Sequence, residues 1–106
     1  MDQDKRFEIY ERDGYKCQWE GCDKIGFNNI ELAHQIHQGK QSENYVKNYV
    51  LKNYNIDLKK KQLKEIINNK LNIKTSCKKH NSYFNCLFKP NLANKIIDDI
   101  IEREFL

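Results

Sequence analysis

No apolar run in the chain approaches the roughly 20 residues that a membrane-spanning helix requires. The opening stretch, MDQDKRFEIYERDGYK, also lacks the apolar core of a secretory signal. A cytosolic chain is the expectation, with no membrane partner. Proline occurs once and glycine four times, and neither a low-complexity linker nor an internal repeat divides the sequence. Its 106 residues fit one domain, residues 1–106, of α+β class. A core of that size is modest, so an added staple such as a metal would matter. Arginine is scarce beside lysine, while asparagine and isoleucine are plentiful, a bias that suits the AT-rich genome of a low-GC bacterium or its phage. Cysteine appears four times, and in a reducing compartment those thiols read as metal ligands or free thiols before disulfides.

What charge there is tilts basic. Nineteen Lys+Arg against 15 Asp+Glu give +4, a balance that suits a polyanion partner without demanding one.

Apolar spacing predicts a short helix over 6–15, broken at Gly14, and a turn-rich stretch through Cys17 and Cys22 with Gly21 forming a tight knuckle. Ile30, Leu32 and His34 alternate as in a half-buried strand. Helices are expected over 43–54 and over 57–69, the second capped by Asp57. LNIKTS, residues 71–76, is a short strand candidate. A further helix should begin near His80 and stop before Pro90. The tail gives a last helix over 91–106, capped by Asn91, with Leu92, Ile96, Ile97, Ile100 and Ile101 on a face that is either core or a dimer seam.

Two short pairs of metal-ligating side chains stand far apart. CQWEGC places Cys17 and Cys22 five positions apart, and CKKH places Cys77 and His80 three apart. Zinc favours four such ligands in a tetrahedron, and two pairs in turn-like sequence supply them with little strain. Cys17, Cys22, Cys77 and His80 are therefore expected to form a closed structural zinc site, one that frames chemistry without performing it. The plainer alternative is scattered thiols beside an exposed histidine. Cys86 stands apart from the set and reads as a buried free thiol.

The order CQWEGC, ELAHQIH, LNIKTSCKKHNSYFN resembles the HNH endonuclease family, as does the lead-in YERDGYKC. AHQI (33–36) falls on the family's histidine element, NIKTSC (72–77) on its asparagine segment, and CKKHN (77–81) on its second ligand pair. The resemblance covers 6–41 and 70–86. It leaves 43–69 as a helical insertion and 91–106 as a C-terminal extension. It implies a small ββα-metal core and metal-dependent hydrolysis of phosphodiester bonds in double-stranded DNA. His34 would be the general base, since neutral imidazole suits water deprotonation at physiological pH. Asn72 would orient the His34 ring. Asn81, with Asn85 one helical turn on, would hold a catalytic magnesium or manganese ion, which favours oxygen donors. Where the family usually has an acidic ligand this chain has Ala33, so a zinc-stapled DNA-binding module without catalysis is the competing expectation. His37 is either a substitute ligand or an exposed loop residue.

Lys59, Lys60 and Lys61 make the insertion basic, and with Lys78 and Lys79 they are the candidate phosphate contacts. A phosphate crossing the start of the helix expected near His80 would meet Lys78 and Lys79. Tyr45, Tyr49 and Tyr54 interleave with the lysines, either stacking on bases or packing as core.

Overall fold

The computed structural model of the protein describes residues 2–86 and 89–106. Helix α1 (Gln3–Arg12) starts because the Asp2 carboxylate accepts the Lys5 N–H at 2.8 Å, and it buries Ile9 and Tyr10. It stops at Asp13, where Gly14 (φ 68°) and Tyr15 (φ 54°) take the left-handed conformation that reverses the chain. Residues 15–26 then fold into a small hairpin, tied by Cys17 N–H to Lys24 O (3.0 Å) and Gly26 N–H to Tyr15 O (2.9 Å).

Strand β1 (Glu31–His34) pairs antiparallel with β2 (Ile73–Ser76), with Leu32 opposite Thr75 and His34 opposite Ile73. Ala33 is the fully buried residue of β1, while Leu32 and His34 are half-buried. Between the two strands run α2 (Lys40–Tyr54) and α3 (Lys60–Ile67), and α4 (Pro90–Glu104) closes the chain. Among the described residues this makes an α+β fold of four helices and one two-stranded sheet. No helix among them is long and apolar enough to cross a membrane.

The main core lies between the helices. Val46 and Val50 of α2, Leu58, Leu63, Ile66 and Ile67 around α3, and Ala93, Ile96, Ile97, Ile100 and Ile101 of α4 form one cluster with Ile36 and Cys86. Burying each branched side chain contributes about 1.5–3 kcal/mol, so the isoleucine stripe is core. Leu92, expected on that stripe, is 39% exposed on the first turn instead.

Several boundaries differ from the sequence expectation. Asp57 does not cap α3: Leu58 is drawn into the core, and Lys59 opens the helix with its N–H donated to Gln62 Oε1 at 2.8 Å. Pro90, which has no N–H to satisfy, takes the first position of α4 ahead of Asn91. The helix expected from His80 toward Pro90 is a single 3-10 turn over Asn81–Phe84. Cys86 is pulled the other way, its N–H and S–H both donated to Gln35 O at 2.9 and 3.0 Å. Residues 87 and 88 of that expected helix lie outside the described residues.

Polar clamps fix the strand pair. Arg12 donates to Lys70 O (2.9 Å) and Ile73 O (2.7 Å), while Asp13 accepts the Thr75 N–H at 2.9 Å. Burial alone would raise the Asp13 carboxyl, but the Arg12 guanidinium and the Thr75 N–H outweigh it and hold it below the usual value.

Candidate metal centre and histidine site

Hairpin and turn bring the two ligand pairs together. Gly21 (φ 82°) and the Cys22 N–H to Trp19 O bond (3.0 Å) curl residues 17–22 so that both thiols share one side of the knuckle. The His80 N–H to Cys77 O bond (3.2 Å) makes the matching turn after β2. Gln18 N–H donates to Thr75 O at 2.9 Å, stitching the hairpin to β2.

The ligand atoms of Cys17, Cys22, Cys77 and His80 all lie within 4.8 Å of one another. Cys22 Sγ and Cys77 Sγ are 3.9 Å apart, and His80 Nδ1 lies 3.3 Å from Cys77 Sγ and 3.9 Å from Cys17 Sγ. A tetrahedron with metal–sulfur bonds of about 2.3 Å and metal–nitrogen bonds of about 2.0 Å has edges of roughly 3.5–3.8 Å. These three separations lie close to such edges, with His80 facing the cluster through Nδ1. The cluster can hold a metal ion using four protein ligands. Burial pushes the Cys17 thiol up. At Cys77 burial acts in the same sense, but the His80 N–H and the neighbouring thiols outweigh it, so this thiol ionises more readily than usual.

An aromatic wall covers the cluster. Trp19 stacks on the His80 ring (centroids 5.8 Å, 21°), and Tyr83 meets both edge-on at 5.2 and 5.1 Å. Phe84 lies against Trp19 at 5.5 Å.

His34 ends β1, and its Nε2 lies 2.9 Å from Asn68 Oδ1. Asn72 is not its partner. The Asn72 side chain is fully buried, accepting the Ile36 N–H at 2.7 Å and donating to Ile36 O (2.9 Å) and Ile67 O (2.7 Å). It clamps the backbone just after His34, not the ring. Asn81 follows the His80 ligand and donates its amide to Leu32 O at 3.1 Å. Asn85 lies just beyond the 3-10 turn with non-helical backbone (φ −58°, ψ 121°), so the shared helical face expected for Asn81 and Asn85 does not form. His37 is exposed, and Cys86 is fully buried. Among the described residues, Cys17, Cys22, Cys77 and His80 are the single group of three or more His, Cys, Asp or Glu side chains close enough to share an ion.

Lys59, Lys60, Lys61, Lys78 and Lys79 are all exposed. Without a helix after His80, Lys78 and Lys79 have no helix N-terminus beside them to bind phosphate. A cleft of 490 Å³ opens next to Asn68, lined by Gln38, Gly39, Glu43, Lys60, Lys64 and Ile67. The three tyrosines of α2 are tied to α4. Tyr45 OH donates to Asn94 (2.6 Å), and Tyr49 OH (2.9 Å) and Tyr54 OH (2.7 Å) converge on Asp98 Oδ1. Burial, then the Asp98 carboxylate, pushes Tyr49 up to about 12; at Tyr54 the Asp98 bond leads and burial adds to it.

Asn68 is not among the residues that the sequence pattern singles out. An asparagine closing a helix is a recognisable capping signal, but nothing in the spacing ties it to a histidine 34 positions earlier. No protein-family model, curated protein or solved structure matches this chain.

Proposed function

We propose that the protein is a zinc-stapled, metal-dependent DNA endonuclease of the HNH type, with His34 as general base. The observation that carries the reading is the Asn81–Leu32 bond of 3.1 Å. The residue directly after His80 is bonded to the strand that ends in His34, so an ion at the cluster would help to set the strand that carries the imidazole. Three sulfurs and one nitrogen within 4.8 Å of one another favour zinc, and four protein ligands leave no open position for chemistry. Hydrolysis would therefore occur beside the zinc. A magnesium or manganese ion near Asn81, whose Oδ1 is uncommitted among the described hydrogen bonds, would supply Lewis-acid stabilisation of the phosphoryl transition state. Lys60 and Lys64 line the cleft beside Asn68, a favourable setting for a phosphate backbone.

One observation favours the second reading, a DNA-binding module without catalysis. Ala33 is fully buried and offers no ligand, and no acidic or histidine group large enough to hold a second ion accompanies it among the described residues. Supercoiled plasmid incubated with zinc-loaded protein and magnesium or manganese separates the two. Nicked or linear product, reduced about a hundredfold or more in His34→Ala, supports the enzyme. Salt-dependent binding without any product supports the binding module.

A further inference from the structure

We infer that Asn68 is the positioning residue for His34, and that it sets the ring tautomer so that Nδ1 is the proton-accepting nitrogen. The second half of this inference rests on the nuclease reading; the first does not.

Two side-chain nitrogens converge on one oxygen. His34 Nε2 lies 2.9 Å from Asn68 Oδ1, and Gln38 Nε2 lies 3.2 Å from the same atom. An amide oxygen only accepts, so the ring nitrogen facing it must carry hydrogen. In a neutral imidazole the other nitrogen then holds the lone pair. Nδ1 has no partner among the described hydrogen bonds, which leaves it available to water.

The backbone that carries this amide is firmly held. Asn68 closes α3 with its N–H donated to Lys64 O at 2.9 Å, and the residues before it, Ile66 and Ile67, are 1% and 2% exposed. A side chain at the end of a packed helix loses little further freedom in holding a ring, whereas a loop residue would have to be ordered for the task. The helical segment between the paired strands thereby acquires a role at the site. It presents the group that orients the imidazole, while Asn72 fixes the backbone at Ile36. In the reaction, Nδ1 takes a proton from water as the water oxygen bonds to phosphorus. The P–O3′ bond breaks, and the 3′-oxygen leaves with the electron pair and is protonated from solvent.

The test is long-range proton–nitrogen NMR of the histidine rings in full-length, zinc-loaded protein, with His34 assigned by His34→Gln. The expected result is a neutral His34 protonated at Nε2. Asn68→Ala should lose that preference, while Asn68→Asp, which keeps an acceptor oxygen, should retain it. Plasmid nicking should fall at least tenfold in Asn68→Ala and survive in Asn68→Asp. A wild-type ring protonated at Nδ1 overturns the inference without any variant, because it places an N–H donor of Asn68 against Nε2. An unchanged tautomer in a folded Asn68→Ala protein overturns it as well. If the tautomer is as stated and wild-type protein leaves DNA intact, the hold of Asn68 on the ring stands and the nuclease reading falls.

Discussion

Stripping a bound metal from the Cys17, Cys22, Cys77 and His80 cluster should unfold the knuckle and loosen its grip on the Leu32–Thr75 rung while leaving the helical layer standing. The thirteen residues of the main core cluster include none of the four ligands and no residue of the 15–26 hairpin. Without an ion, few contacts join that hairpin to the rest of the fold. Gln18 donates its N–H to Thr75 O (2.9 Å) and its side-chain amide to Asp13 O (2.8 Å), Tyr15 bonds and packs against Tyr10 (2.8 Å, centroids 6.0 Å), and Trp19 meets Tyr83 and Phe84 at 5.2 and 5.5 Å. One net hydrogen bond contributes about 0.5–1.5 kcal/mol, and an aromatic pair about 0.5–1.5 kcal/mol beyond its area. A structural zinc contributes an apparent 10–16 kcal/mol, roughly, in small zinc-binding peptides. The metal term is therefore many times larger than any single contact holding this corner, and comparable to the roughly 5–15 kcal/mol that stabilises a whole domain.

Trp19, the single tryptophan, reports directly because its ring stacks on a ligand. Chelation, or Cys77→Ser, should shift its emission to the red as the Trp19–His80–Tyr83 stack opens. The far-UV helical signal should largely persist, since α2, α3 and α4 share their own core. Readdition of zinc should restore the emission in wild type and not in Cys77→Ser. Unchanged Trp19 emission after complete metal removal, verified by elemental analysis, would refute the reasoning. So would purification of a fully folded protein that never binds a transition metal.

Asn72→Ala strips the partners from the Ile36 N–H and C=O and from Ile67 C=O, all buried; at about 1–3 kcal/mol per orphaned group, partly relieved by relaxation, a loss of about 3 kcal/mol is expected in urea unfolding. Asp98→Ala removes the acceptor shared by Tyr49 and Tyr54 and should cost about 1.5–3 kcal/mol, with a matching drop in thermal midpoint. The raised folded value of Tyr49, about 12 against an ordinary 10, means the unfolded chain loses this proton first. Its contribution is thus complete below pH 10 and fades as pH climbs toward 12, which phenolate absorbance followed alongside unfolding will detect. Asp13 behaves oppositely. Its lowered carboxyl contributes above the ordinary aspartate range, and that contribution disappears as pH falls through the lower folded value, so wild type and Asp13→Ala should converge in stability at acid pH.

Much of the architecture was legible because local patterns and tertiary contacts agree. The isoleucines of α4 recur at helical spacing and are core, and the Cys-x4-Cys and Cys-x2-His pairs meet as their ligand chemistry suggests. The illegible parts are places where distant contacts override local preference. Residues 80–86 have a sequence able to continue as a helix. Yet His80 is drawn to the cluster, Asn81 to Leu32, Tyr83 and Phe84 to Trp19, and Cys86 to Gln35. Those partners lie in different directions, and one regular helix cannot satisfy them all. Asp57 fails as a cap for a related reason: seating Leu58 in the core moves the helix start to Lys59. The exchange of Asn72 for Asn68 as ring partner has the same origin: the Asn72 amide is drawn into the core by Ile36 and Ile67, and Asn68 at the end of α3 meets the ring instead.

His34 stands between two clamps of different chemistry. On one side, the Asn81–Leu32 and Gln18–Thr75 bonds grip β1 and β2 at the same rung of the ladder, since Leu32 and Thr75 are register partners. Both bonds arise from residues adjacent to the Cys17 and His80 donors, so an ion held there would tighten this grip. On the other side, Asn72 holds Ile36 and Asn68 holds the ring, through amides anchored in the helical core. Neither clamp alone fixes the imidazole in space: the first sets the strand, and the second sets the backbone at Ile36 and the direction of the ring. Metal loss should therefore free the Leu32 side of His34 and spare the Asn68 contact, leaving a ring with the correct tautomer on a strand without a fixed position. Amide exchange should then accelerate upon chelation at Gln18, whose N–H is donated to Thr75 O, and stay slow at Ile36, whose N–H is held by Asn72. Equal acceleration at both positions would mean that the two clamps are one cooperative unit, and that an ion governs the whole site.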